Sequence, residues 1–457
     1  MNSKPSDATL PFRTILAYGC GSFGNNLVYG LMSIYLMVFY TDQFGLPVAS
    51  VGTLFLVARI WDAINDPIMG LLVDNTKSRW GQFRPYLLFV PLPMAIFTTL
   101  CFMSPEFSPA GKLIYAYFTY ILWGMSFTAM DIPYWAMSAA MTEDSKERNK
   151  VVMIPRTLAA VAWTLIGMIT LPMVAWLGSG DDRHGFLLTA LAISIAAVAF
   201  TWITFFNCRE NVHVKEERRQ NLRDIIDMVI HNRPLRLVIG GFLMLEIVYA
   251  VKNILPIYYL TYVLHSKNLI PVFMGLNLAL TLFGSIISPV LSFRFGKKRM
   301  AVWGNLIAAL SGIAFYFAGY RSVIWLFIFN SILLITTSAA NIALMSMLID
   351  TVEYGEWKTG RRSGGIIFAM NTFKTKVAGA IGGALGAYGL AAIHYIPNVE
   401  QTEFTIKGMH LLFTLLPGAL SLLAMLPFCF YDLTEERYDC ILNELLERRK
   451  TSERQKG

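Results

Sequence analysis

The sequence is poor in charged residues. Only 15% of its 457 residues are Asp, Glu, Lys or Arg, whereas soluble domains carry about a quarter. Apolar residues make up 55% of the chain, and they lie in blocks long enough to cross a bilayer, such as 366–390 and 410–430. This composition excludes a soluble enzyme and a disordered chain.

Cysteine and histidine are also scarce. The five cysteines contain no CxxC pair and the six histidines show no metal-ligand spacing, which excludes a disulfide scaffold and supports neither a zinc knuckle nor a redox motif. The first ten residues lack the basic and then apolar layout of a signal peptide, so we expect no cleavage there. No cofactor is expected either.

What the sequence does contain is a series of twelve apolar segments, each at least about as long as the 20 residues that a transmembrane helix needs. The segments are 14–41, 47–73, 85–104, 112–140, 152–178, 185–206, 235–264, 270–293, 300–319, 323–349, 364–390 and 405–431. They predict an all-α integral membrane protein with twelve transmembrane helices.

The longest polar stretch divides these segments into two groups of six. The predicted parts are an N-terminal half (1–206), a cytoplasmic linker (207–234), a C-terminal half (235–431) and a cytoplasmic tail (432–457). A weak internal repeat supports the division, because the basic turn 74–84 after the second segment resembles the turn 294–299 after the eighth. Two six-helix halves around a binding site near mid-membrane are transporter architecture.

The distribution of basic residues indicates the orientation. An even number of spans puts both termini on one side, and 29 of the 38 Lys and Arg residues lie in segments on that side. The positive-inside rule therefore predicts that both termini are cytoplasmic. Anionic lipid headgroups are the expected neighbours, so the formal net charge of +8 does not require nucleic acid as a partner.

The second segment carries three charges on one helical face. Arg59, Asp62 and Asp66 are three and four residues apart, which places them together on a helix. Two carboxylates there repel each other unless a cation or a proton lies between them. With an amide oxygen of Asn65 they suit a small hard cation, Na⁺ being the candidate metal, or a proton in its place. The alternative is that Arg59 neutralises Asp62 and that Asp66 only packs against a loop.

The fourth segment places polar and aromatic side chains on one stripe. Thr128, Asp131 and Trp135 follow each other at helical spacing, and Pro133 frees backbone groups that a polar cavity can satisfy. A carboxylate beside an indole is suited to a sugar, because the oxygens accept from hydroxyls and the ring covers an apolar sugar face. The alternative is a tryptophan at the headgroup belt.

Three lysines lie inside the predicted spans of the C-terminal half. Lys376 shares a helical face with Thr372, whereas Lys374 points elsewhere, and Lys252 lies in the seventh segment. If Lys252 or Lys374 reaches the cavity, it attracts an anionic group of the substrate. The equally weighted alternative is a structural ion pair of a lysine with Glu246 or with an aspartate of the other half.

Four stretches resemble a known family. They are GTLFLVARIWDAINDP at 52–67, DIPYW at 131–135, PR at 155–156 and DTVEYGE at 350–356. These stretches resemble the glycoside–pentoside–hexuronide:cation symporters, typified by melibiose permease, and the similarity extends over all twelve segments. The resemblance implies the major facilitator fold and the transport of sugars together with Na⁺, Li⁺ or H⁺.

The resemblance also implies roles for individual residues. It assigns the cation site to Asp62, Asn65, Asp66 and Thr128, and it places Asp131, Trp135, Arg156, Thr372 and Lys376 at or near the sugar site. One departure lies in the first helix, where this chain has Asn25 and Asn26 in place of a Lys-Asp pair. The missing aspartate is the residue that holds galactosyl hydroxyls, so melibiose itself is not the expected substrate.

The predicted sugar site therefore includes Asn25, Asn26, Lys252 and Lys374 as well. The loss of one negative charge and the presence of Lys252 and Lys374 make the cavity more positive. We therefore predict an acidic sugar, such as a hexuronide or a sulfonated sugar. The alternative substrate is a neutral glycoside or pentoside, moved by symport or uniport.

The predicted function is cation-coupled sugar symport by alternating access. The protein is expected to act as a monomer in the cytoplasmic (inner) membrane of a bacterium. An intramembrane prenyltransferase is a distant alternative, because the further aspartates that hold magnesium and diphosphate are lacking. The predicted cytoplasmic gate consists of Asp74, Arg148, Arg361 and Arg362 with the two basic turns.

Overall fold

The computed structural model describes residues 10–142, 144–210, 229–360 and 364–456, and these residues contain helices and no strand. The helices are α1 (Phe12–Val38), α2 (Val48–Asp74), α3 (Arg84–Phe89), α4 (Pro91–Cys101), α5 (Pro109–Met141), α6 (Ser145–Gly178), α7 (Asp182–Asn207), α8 (Arg233–Tyr258), α9 (Ile270–Phe295), α10 (Lys297–Ala318), α11 (Val323–Thr359), α12 (Gly364–Ala392), α13 (Glu403–Cys429) and α14 (Glu435–Lys456). Short π-helical turns, Phe39–Gln43 and Tyr259–Val263, extend α1 and α8.

Ten helices in the described part of the chain are long and apolar enough to cross a membrane. They coincide with ten of the twelve predicted segments. The third segment, 85–104, contains two shorter helices, α3 and α4, which meet where Pro91 supplies no N–H to continue the hydrogen-bond ladder. The eleventh, 364–390, contains the 29-residue α12. The fold is that of an all-α integral membrane protein.

Two predicted boundaries were wrong. The fifth segment was expected to begin at 152, but α6 begins at Ser145. The tenth was expected to end at 349, but α11 continues to Thr359. Both extensions are polar, and hydropathy does not register helical residues beyond the apolar layer.

The chain divides into two compact units, Met1–Glu216 with Ile270–Gly275, and Glu217–Leu269 with Leu276–Gly457. The predicted linker, 207–234, includes residues 211–228, which lie outside the described residues. The predicted domain boundaries therefore stay a prediction.

In the first unit, α1 is the central helix. It packs along α6 and α7, and Gly24 allows a close approach, since an added Cβ would lie 2.8 Å from the carbonyl oxygen of Ala197. Small residues commonly make such contacts between membrane helices. The side chains of Phe23, Asn26 and Tyr29 form a stripe that is only half-buried. Beside this group, α2 packs along α5, which positions the candidate cation site.

In the second unit, α8 is the central helix, as α1 is in the first unit. It packs against α11, α12 and α13, while α10 packs against α11 and α13. Fully buried side chains such as Leu235, Leu344 and Phe428 form one core cluster. Helix α14 adds Ile441 and Leu445 to this cluster, so the last helix covers one end of the unit.

Candidate transport site

The contacts between α2 and α5 form the candidate cation site. Asp66 accepts a hydrogen bond from the hydroxyl of Thr128 at 3.0 Å. One turn earlier on each helix, Asp62 faces Gly124, where an added Cβ would lie 3.3 Å from Asp62 Oδ1. Both carboxylates therefore lie on one face of α2 and meet one face of α5. The structure thus brings together Asp62, Asp66 and Thr128, and their role in cation binding stays a prediction.

Arg59 contacts the first of the two carboxylates. Its Nη1 lies 2.9 Å from Asp62 Oδ2, so the ion pair that the alternative interpretation predicted does form. The formal charge of Arg59, Asp62 and Asp66 together is −1. A monovalent cation neutralises this group, whereas a divalent ion reverses its charge. The arrangement therefore fits Na⁺ or a proton.

Asn65 lies between the two carboxylates in sequence and is 8% exposed. Its Nδ2 is buried and has no hydrogen-bond partner among the described residues. A buried donor without a partner is costly, and rotating the amide places Oδ1 at the same position as a neutral oxygen ligand. Asn65 can therefore contribute to a cation site in the way the sequence suggests.

The donor set is small for a metal ion. The described residues contain no cluster of three or more His, Cys, Asp and Glu side chains. A Na⁺ site here would depend on two carboxylates supplemented by amide and hydroxyl oxygens. Such hard oxygen donors suit a hard cation.

The candidate sugar site of the first unit surrounds Asp131. Its Oδ1 accepts hydrogen bonds from the Trp135 indole and from Asn25 Nδ2, each at 3.1 Å. The guanidinium carbon of Arg156 lies 5.8 Å from the centre of the Trp135 ring. Four of the predicted sugar-site residues are therefore neighbours, and they come from α1, α5 and α6.

The two asparagines of α1 have different surroundings. Asn25 is 2% exposed and holds the Asp131 carboxylate. Asn26 is half-buried and donates to the carbonyl oxygen of Ser22 on its own helix at 2.9 Å. Asn25 is therefore placed to orient Asp131, whereas Asn26 lies on the half-buried stripe of α1.

In the second unit, Lys374 forms an ion pair. Its Nζ lies 3.3 Å from Glu246 Oε1 and 3.0 Å from the centre of the Phe242 ring. This is the structural pairing that the sequence left open as an alternative. A role for Lys374 in sugar binding stays a prediction.

Lys252 has a different environment. It is 8% exposed, and its Nζ lies 3.4 Å from Asn330 Oδ1 and 3.8 Å from the centre of the Phe413 ring. No acidic side chain among the described residues pairs with it. Lys376 is half-buried in α12. Thr372 lies in the same helix, but its side chain lies outside the described part of the structure.

Of the four predicted gate residues, the structure describes Asp74 and Arg148. Asp74 is exposed at the end of α2, and Arg148 near the start of α6 donates to the carbonyl oxygen of Thr142 at 3.1 Å. Arg361 and Arg362 lie outside the described residues. The gate assignment therefore stays a prediction.

Sequence reasoning missed Gly124. The available signal was its position four residues before Thr128, which places it on the same face of α5. A glycine there leaves room for the Asp62 carboxylate, but glycine is too common in membrane helices for the spacing alone to identify it.

A family model described as MFS/sugar transport protein matches residues 17–435. The chain belongs to this family. The family expected from the sequence resemblance is thereby confirmed. The protein is a multi-pass membrane transporter of the major facilitator type and not an enzyme.

Several family members are similar over most of their length. The chain is 34% identical to the uncharacterized symporter YnaJ of Bacillus subtilis, with 95% of each chain covered. It is 31% identical to the isoprimeverose transporter of Lactiplantibacillus pentosus, covering 89% of this chain and 86% of that protein. It is 30% identical to a putative sulfoquinovose importer of Salmonella typhimurium, covering 98% and 96%. The first of these relatives is named a symporter and the other two are named for sugars, which supports sugar symport in general.

Solved structures support the fold. A bacterial homologue of the human lysosomal transporter Spinster, in an inward-facing and unoccupied conformation, aligns with a TM-score of 0.71. The alignment covers 95% of this chain and 99% of that chain at 13% identity. The likeness establishes the major facilitator fold of this family member.

Proposed function

We propose that the protein couples sugar transport to a monovalent cation, Na⁺ or H⁺, by alternating access. The observation that carries the proposal is the arrangement on α5. Thr128 contacts Asp66 of the candidate cation site, and Asp131, three residues later, contacts Trp135 of the candidate sugar site. One helical turn, about 5 Å long, therefore connects the two sites.

The proposed coupling follows from this connection. A cation beside Asp66 neutralises the net charge of −1 and fixes the Thr128 side of α5. This places Asp131 to accept hydrogen bonds from sugar hydroxyls, while Trp135 covers the apolar face of the ring. Symport of this kind requires that the cation raise sugar affinity, and linkage then requires that the sugar raise cation affinity by the same factor.

An acidic sugar is the proposed substrate. Arg156 is exposed, lies over Trp135 and has no carboxylate contact among the described residues. A guanidinium binds carboxylate and sulfonate groups through two parallel hydrogen bonds. Lys252 is a second cation without an acidic partner in the described part of the chain. The relative named as a sulfoquinovose importer supports this proposal, since sulfoquinovose is a sulfonated sugar.

A neutral glycoside is the second candidate, supported by the relative named as an isoprimeverose transporter. We also propose that both termini are cytoplasmic in a bacterial cytoplasmic membrane, since 29 of 38 Lys and Arg residues lie in segments on that side.

Uptake by proteoliposomes tests the proposed cation-coupled symport. Uphill uptake driven by a Na⁺ or proton gradient supports symport, whereas counterflow without uphill uptake supports a uniporter.

The substitution Arg156→Gln tests the acidic substrate. We expect the affinity for a hexuronide or sulfonated sugar to fall roughly 10- to 100-fold, because a hydrogen bond to a charged group contributes about 1.5–3 kcal/mol. The affinity for a neutral glycoside of the same ring should change much less. Arg183→Gln is the matched control, since Arg183 is an exposed arginine at the start of α7. Equal losses for acidic and neutral sugars would contradict the assignment.

A further inference from the structure

Each unit contains a basic turn that is held by a glutamate. The first turn, 74–84, connects α2 to α3, and the second, 294–299, connects α9 to α10. In each unit the glutamate comes from the chain just after the last membrane helix of that unit. Neither glutamate belongs to the sites described above, and the sequence repeat did not reveal them.

In the first unit the glutamate is Glu210, three residues after α7 ends. Its carboxylate accepts hydrogen bonds from the backbone N–H groups of Gln82, Phe83 and Arg84 at 2.9, 2.8 and 3.1 Å. Gly81 makes this contact possible. Its φ is +112°, and an added Cβ would lie 2.5 Å from Glu210 Oε1.

The side chain of Arg84 makes further contacts that hold the same turn. Its Nη2 donates to the carbonyl oxygen of Phe205 at 2.9 Å, and its guanidinium lies 4.7 Å from the centre of the Phe205 ring. The side-chain amide of Gln82 donates through Nε2 to the carbonyl oxygen of Val73, near the end of α2, at 3.2 Å. The first turn is therefore attached to the ends of both α2 and α7.

In the second unit the glutamate is Glu435, the first residue of α14. Its Oε1 accepts from the backbone N–H of Lys297 at 2.6 Å. Gly296 precedes this contact with φ +84°, and an added Cβ would lie 3.3 Å from Glu435 Oε1. The Lys297 side chain forms a separate ion pair with Asp350 at 2.6 Å.

The two arrangements share four features: a basic turn, a glycine with positive φ, at least one donating backbone N–H directly after it, and a carboxylate from beyond the last membrane helix of the unit. We propose that Glu210 and Glu435 are matched positioning residues that hold the two turns of the predicted gate. They set the maximal rate of transport and leave the sugar and cation affinities unchanged. This inference rests on the proposed alternating-access function, because the turns act as a gate only in such a cycle.

The structure also predicts an order of importance. Among the described residues, Glu210 accepts three backbone hydrogen bonds, whereas Glu435 accepts one. The side chain of Lys297 and Asp350 hold the second turn independently. Glu210→Gln should therefore reduce the maximal rate more than Glu435→Gln does. Because a charge-assisted hydrogen bond corresponds to about a tenfold shift in a local equilibrium, we expect about a tenfold loss for Glu210→Gln.

The experiment measures counterflow and equilibrium sugar binding with the full-length protein in proteoliposomes. The expected result for Glu210→Gln is a lower maximal counterflow rate with sugar Kd within about twofold of the unsubstituted protein. Glu436→Gln is the matched control, because Glu436 is an exposed neighbour of Glu435. Glu210→Asp keeps the charge, so the counterflow rate per folded transporter should partly recover. A loss of folded protein would lower the amount of transporter and leave this rate unchanged.

A double-mutant cycle adds a second readout. Gly81→Ala fills the space of the Glu210 carboxylate, so the double variant with Glu210→Gln should be no slower than the more impaired single variant. Additive losses, a raised sugar Kd with an unchanged rate, or a larger effect of Glu435→Gln would each overturn the inference. Counterflow needs no ion gradient, so a failure of cation coupling would be recognised separately.

Discussion

Asp66→Asn is expected to abolish cation-dependent sugar accumulation while the protein stays folded. The amide keeps the shape of the side chain and an oxygen that can accept from Thr128, so the contact between α2 and α5 is retained. The charge of Arg59, Asp62 and the substituted residue together becomes zero, which removes the attraction for a cation. Sugar affinity should then lose its dependence on the cation, a coupling of about 5- to 150-fold in typical linked systems.

Uphill uptake and counterflow, measured with the same proteoliposomes, test this prediction. We expect uphill uptake to disappear and counterflow to persist. Glu106→Gln is the matched control, since Glu106 is an exposed acid in the loop between α4 and α5, and it should leave both activities intact. Normal uphill uptake by Asp66→Asn would show that the driving cation binds elsewhere.

Asp131→Asn is expected to have the second largest effect. The carboxylate accepts from Asn25 and Trp135 at 3.1 Å, and in the proposed mechanism it also accepts hydrogen bonds from sugar hydroxyls. Loss of its charge should lower sugar affinity roughly 10- to 100-fold, the range for hydrogen bonds to charged groups. Isothermal titration with the best substrate measures the change.

Cation binding separates this effect from general damage. Asp131→Asn should still bind the coupling cation, because Asp62, Asn65 and Asp66 are unchanged, and Glu106→Gln should bind both ligands normally. If Asp131→Asn bound sugar normally, the Asp131–Trp135 pair would not be the sugar site. If it lost cation binding as well as sugar binding, the two sites would not be separable along α5.

Contacts within one helix were predictable from the sequence. The spacing of Asp62 and Asp66, and of Thr128, Asp131 and Trp135, fixes which side chains share a face once the segment is helical. The helices were predictable as well, because a membrane span needs a long apolar run. The exceptions were the polar ends of α6 and α11, which lie outside the apolar pattern, and the third segment, which contains two shorter helices.

Contacts between helices were not predictable to the same degree. The sequence left open whether Arg59 or a cation neutralises the charge of Asp62. In the structure, Arg59 forms an ion pair with one carboxylate oxygen of Asp62. The sequence also left open whether Lys374 binds the sugar or pairs with Glu246. The observed ion pair of Lys374 with Glu246 depends on the packing of α12 against α8. Glu210 was missed because its partners are backbone N–H groups more than a hundred residues away, and backbone partners leave no mark in the side-chain pattern.

The central claim is that cation and sugar bind to neighbouring turns of α5 and strengthen each other. Isothermal titration of the purified, unsubstituted protein tests it most directly, with sugar affinity measured across Na⁺ concentration and pH, and cation affinity measured with and without sugar. We predict that one cation raises sugar affinity about 5- to 150-fold and that the sugar raises the affinity for that cation by the same factor. A sugar affinity that is independent of both Na⁺ and pH would contradict the account.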